Sequence, residues 1–107
     1  MPFYMSEVSY TSEAWAAQIA NPQDRSAVVA QMMAGKGGRM VSFYYAFGEY
    51  DIVLISEAPD NTTIASALIA AAGAGAISKL RTTVLMTAEE GLAAIRGAGD
   101  VTYTPPG

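Results

Sequence analysis

Residues 48–51, GEYD, set a carboxylate, a phenol and a second carboxylate side by side ahead of the apolar run IVLIS, with Tyr44 and Tyr45 a few positions upstream. In that grouping Asp51 can act as a general base or hydrogen-bond acceptor, and the Tyr44 phenol can polarise a carbonyl or phenolate, with Tyr50 at the cavity mouth. Strand alternation puts Ser42 on the face of Tyr44 and Tyr45 on the other, so only one of the two tyrosines lines a cavity; Tyr44 is favoured. Arg39 and Arg81 are the cations suited to grip a substrate carboxylate through two parallel N–H bonds. Each residue also has a structural reading. Gly48 permits a turn, Glu49 is solvated at its tip, Asp51 accepts backbone N–H bonds that lock a hairpin, Tyr44 is a core tyrosine, and the arginines lie at the surface.

Much other chemistry is excluded by residue type. The 107-residue chain has no Cys and no His, which removes thiolate nucleophiles, imidazole bases and the usual zinc, copper or haem ligands. Its acidic residues are dispersed, so no metal and no cofactor are expected. The glycine pairs at 73/75 and 97/99 lack the third glycine and ribose-binding acid of a dinucleotide fingerprint. With a net charge of −4 and six scattered Lys and Arg, the chain carries no footprint for nucleic acid. No apolar run approaches a membrane span and the start has no signal-peptide pattern, so a cytoplasmic protein is expected.

The positioning elements follow from periodicity and caps. PFYMSEVSY reads as a strand; Thr11 and Ser12 cap the helical stretch EAWAAQIA, where Trp15 is a core or interface anchor. Asn21 is the expected N-cap of a second helix, with Pro22 in its first position and Val28, Val29, Met32 and Met33 as its apolar stripe. RMVSFYYAF, a tight connection at Gly48-Glu49 and DIVLISEA form a hairpin; Asp60 caps NTTIASALIAAAGAG. ISKLRTTVLM is a fourth strand, where Lys79 has no evident partner, and Thr87 with Glu90 forms a capping box opening AEEGLAAIR. The order β-α-β-β-α-β plus a terminal helix predicts an α+β, ferredoxin-like four-stranded antiparallel sheet, with a domain over 1–97 and an extended tail over 98–107.

Right-handed crossovers place the helices on one side of such a sheet, and neither alternate set of strand residues is mostly charged. The uncovered side is therefore apolar, which predicts homodimers or larger oligomers whose stacked sheets enclose a partly apolar cavity. The hairpin GGRMVSFYYAFGEYDIVLISEAPDN resembles the GYD-domain proteins, named for the residues that stand here as Gly48, Tyr50 and Asp51. That resemblance runs from the first strand through the fourth and implies a dimeric α+β barrel, often in bacterial proteins of unassigned activity. The GEYDIVL turn is also similar to the amino-acid-binding domain of Lrp/AsnC regulators; without a helix-turn-helix before it, that likeness implies a freestanding sensor. The leading expectation is a homo-oligomeric protein that binds a small apolar or aromatic metabolite. The alternatives are a cofactor-independent monooxygenase or isomerase using Tyr44 and Asp51, by fold analogy, and a purely structural assembly protein.

Overall fold

In β1 (Phe3–Tyr10), Tyr4, Ser6 and Val8 are buried, whereas Phe3, Met5 and Glu7 on the opposite side of the pleat are only half-buried. A computed structural model describes residues 1–107 and shows what covers the first set. β2 (Arg39–Tyr45), β3 (Ile52–Glu57) and β4 (Ile77–Leu85) join β1 in one antiparallel sheet of order β2-β3-β1-β4. Helices α1 (Ser12–Ala20) and α2 (Arg25–Gly35) form the first crossover, α3 (Asn61–Gly73) the second, and α4 (Ala88–Ala98) follows the last strand. This is the expected ferredoxin-like α+β fold. Met33 from α2 and Ile64, Ala67 and Leu68 from α3 pack onto Tyr4, Val8, Ile52 and Leu54. Each large side chain buried there contributes about 1.5–3 kcal/mol.

Local chemistry accounts for most element ends. Thr11, Asp60 and Thr87 cap α1, α3 and α4 through side-chain oxygens that accept N–H bonds from Ala14, Thr63 and Glu90. The Glu90 carboxylate returns the bond to the Thr87 N–H at 2.9 Å, completing the capping box. Gly37 has φ +77°, and a Cβ on Gly38 would collide with the Glu57 carbonyl oxygen, so the α2–β2 turn requires both glycines.

Two local expectations are corrected, and two further details emerge. Asn21 does not start α2: its N–H still bonds the Ala17 carbonyl and so finishes α1, while the Asp24 carboxylate accepts the Ser26 N–H at 3.0 Å and caps α2. Pro22 lies between the helices. The β2–β3 connection is not tight, since residues 46–51 separate the strands, and Gly48 lies outside the left-handed region, with nothing within 4 Å of where a Cβ would stand. The register shifts between Met40 and Ser42, so Val41 is a bulge that brings Arg39 onto the face of Ser42 and Tyr44. Finally, α4 runs to Ala98, and residues 101–107 have no regular structure. No residue of α4 is buried, and the radius of gyration is 17.2 Å against about 13 Å for a compact chain of this length. The C-terminal arm therefore stands out from the body.

Candidate functional site

The face of the sheet away from α2 and α3 carries Ser42 and Tyr44 opposite Ile55 and Val53. Tyr44 is 66% exposed. Arg39 donates to Glu57 through Nε at 2.9 Å and Nη2 at 2.6 Å, and Arg81 donates to Glu7 at 3.0 and 2.8 Å. Both guanidinium forks thus already hold a carboxylate of the same chain, and the bond to Glu7 raises Arg81 above its ordinary, already high value. The two arginines do not converge. Arg39 lies in the row of Glu57 and Phe3, Arg81 in the row of Glu7, four residues or about 13 Å along β1. Tyr50 sits beside Arg81, its ring centre 4.7 Å from the Lys79 Nζ and 5.5 Å from the Arg81 guanidinium carbon. Lys79, for which the sequence suggested no partner, has both that ring and the Glu49 carboxylate at 3.8 Å.

Asp51 occupies a different place. Its Oδ2 accepts the Tyr10 N–H at 2.9 Å and the Trp15 indole N–H at 3.3 Å, its own N–H bonds the Val8 carbonyl, and its carbonyl accepts from Ala46. It joins the end of β1 to α1 and closes the hairpin loop. No hydrogen bond links it to Tyr44. Of the residues singled out from the sequence, Ser42, Tyr44, Tyr50, Arg39 and Arg81 share one face without forming a cluster, and Asp51 is engaged elsewhere.

A partly open apolar recess lies on the helix side. Between α2, α3 and the sheet is a chamber of about 290 Å³, with 14 of its 15 lining residues apolar, among them Val29, Met32, Phe43, Ile52 and Leu68. Its origin is the composition of α3 and the segment after it: Ala70, Ala71, Ala74 and Ala76 line the wall, and methyl groups cannot fill the gap that larger side chains would. The chamber adjoins a vestibule of about 280 Å³ under α1, lined by Gln18, Asn21 and Gln23. Tyr10, Arg25 and Ala76 line both spaces and so mark the passage between them.

Tyr10 is fixed there by an edge-on contact with Trp15, ring centres 5.1 Å apart. Burial pushes its phenol up from the usual value, and the Arg25 guanidinium pulls against that shift. Arg25 is half-buried and belongs to none of the three ion pairs of the chain. Sequence reasoning missed this pair. The misplaced start of α2 set Arg25 inside a helix, when it is the first helical residue; alternation along β1, which points Tyr10 the same way as Val8, was the one available signal.

A ferredoxin-like α+β domain with an apolar chamber beneath its helices is the class that this architecture defines. The chain belongs to the GYD domain family, whose match covers residues 4–95. No curated protein matches it. Among solved structures it is similar to MtbAldR, at 22% identity and TM-score 0.58, over 80% of this chain and 53% of that one. It is also similar to the transcriptional regulator NMB0573 of Neisseria meningitidis, solved as its L-Met complex, at 13% identity and TM-score 0.50, over 81% and 51% of the two chains. The chain thus spans about half the length of these structures, and the likeness shows a shared fold.

Proposed function

We propose that this chain is a small-molecule-binding protein that takes an apolar or aromatic metabolite and works as a homo-oligomer in the cytoplasm. The carrying observation is the chamber, with its 14 apolar lining residues and a mouth holding a few polar groups, the usual character of a ligand pocket. The L-Met complex of NMB0573 supports the reading, because a protein of the same fold is seen there with a small molecule. Self-association rests on the other face, where Phe3, Met5, Val53, Ile55 and Tyr44 are left without a covering element. The enzyme reading draws less support, since Asp51 Oδ2 holds the Tyr10 N–H and the Trp15 indole and no hydrogen bond joins Asp51 to Tyr44.

A thermal-shift screen of small apolar and aromatic compounds tests the binding reading. Ligands raise the melting temperature of the wild type, and Ala71→Leu, which fills the chamber, removes that rise while leaving the protein folded. Compounds that shift both proteins equally bind elsewhere, and a flat response across the whole screen defeats the reading. Sedimentation at micromolar concentration tests the assembly; single chains alone would defeat it.

A further inference from the structure

We propose that the chamber takes a small apolar monocarboxylic acid, its tail among the chamber aliphatics and its carboxylate on Arg25 and the Tyr10 hydroxyl at the passage to the vestibule. This inference rests on the binding reading above and names the ligand class for that same site.

Three observations converge on it. Arg25 is the one charged side chain that lines any cavity of the chain, and no carboxylate lines the chamber or the vestibule. The nearby acids are committed elsewhere: Asp24 to the Ser26 N–H and hydroxyl, Asp51 to Tyr10 and Trp15. Arg39, Lys79 and Arg81 are all paired with glutamates, whereas Arg25 is half-buried with no ion-pair partner and so remains available to an anion beside the apolar space.

The chemistry of the ligand follows. A planar guanidinium matches a carboxylate through two parallel N–H bonds, and a phenol that burial keeps protonated can donate a third. The vestibule side-chain amides of Asn21 and Gln23, neither of which is hydrogen-bonded within the chain, complete the polar end. A single cation suits a monoanion and leaves the second charge of a phosphate monoester uncompensated. An amino acid would bring an ammonium group to a site with no carboxylate on its walls. The volume of about 290 Å³ lies at the low end for ligand pockets, which suits a short branched, linear or aromatic acid.

Calorimetric titration with hexanoate and phenylacetate, each against its neutral amide, and with hexylamine and L-leucine tests the assignment. The acids bind at least about tenfold more tightly than the amides, a difference of about 1.4 kcal/mol; the amine and the zwitterion bind more weakly than either. In Arg25→Gln the acid and amide affinities become equal, and Arg25→Lys restores part of the preference. Amides that bind the wild type as tightly as the acids overturn the carboxylate assignment while leaving the pocket intact. An acid preference that persists in Arg25→Gln overturns it too. If no compound binds, and Ala71→Leu changes nothing, the pocket reading falls as well.

Discussion

The two faces of the sheet are built from the same four strands, yet they solve opposite problems. On the helix face, Leu54 and Ile52 are sealed under α2 and α3, and the unfilled space is a chamber bounded by small residues. On the open face, Val53 and Ile55 stand between two arginine–glutamate pairs whose carboxylates are only 15% and 17% exposed. One face is apolar and covered by helices; the other mixes aliphatics with neutralised charge and is uncovered. Helix cover, rather than the density of chemically able side chains, is what separates the candidate pocket from the surface, since the open face also holds two tyrosines, Tyr44 and Tyr50, and two arginines, Arg39 and Arg81.

The sharpest way to break this contrast is to compare neighbours in β3. Leu54→Ala lowers stability by about 3 kcal/mol at any protein concentration, measured by urea unfolding, because it removes a buried side chain and enlarges the unfilled space it borders. Ile55→Ala costs about 1 kcal/mol in dilute solution and acts mainly by weakening the dependence of melting temperature on protein concentration. Equal losses from both, with no concentration dependence in the wild type, would erase the difference between the faces.

Asp51→Ala comes next, at about 2 kcal/mol, since it leaves the Tyr10 N–H and the Trp15 indole without their acceptor. The near-ultraviolet circular dichroism of Trp15 changes with it; an unaltered spectrum would show that the carboxylate does not hold the β1–α1 corner.

Two serines on the helix face sharpen the comparison further. The Ser56 hydroxyl is buried without a hydrogen-bond partner, whereas Ser6 Oγ lies 3.1 Å from Thr82 Oγ1. Ser56→Ala therefore raises stability by about 1 kcal/mol and Ser6→Ala lowers it by a similar amount, both read from urea midpoints.

The smallest effect concerns acid. Hydrogen bonds from the Thr63 hydroxyl and N–H hold the Asp60 carboxyl below its usual value. Its folded pKa lies beneath the unfolded one, so its contribution is present above about pH 4 and is lost as pH falls through the folded value. The urea midpoint of the wild type thus falls toward that of Asp60→Asn on acidification, and a gap that stays constant down to about pH 3 would contradict it.

How much of this was legible depended on the range of the interaction. Period-two alternation in β1 and β3, the Asp60 cap and the Thr87–Glu90 capping box are local signals, and each element they mark is present. The bulge at Val41 was not legible, because register belongs to a pair of strands and β2 alone reads equally well without it. The start of α2 failed for a different reason: Asn21 and Asp24 are both good caps, and the choice turned on Asn21 still completing α1. Tyr10 and Arg25 are 15 positions apart and meet only once α1 has folded back, so no spacing rule could have joined them.

The anchoring of α3 has a dynamic consequence. Its buried residues, Ile64, Ala67 and Leu68, lie at or before Leu68, and none of the last five positions of the helix, 69–73, is buried. A helix held at one end behaves like a leaf spring: its last turn can lift from the sheet without disturbing the anchored turns. Amide hydrogens near Ala71 and Ala72 therefore exchange with solvent faster than those near Leu68, and the wall that flexes is the alanine wall of the chamber.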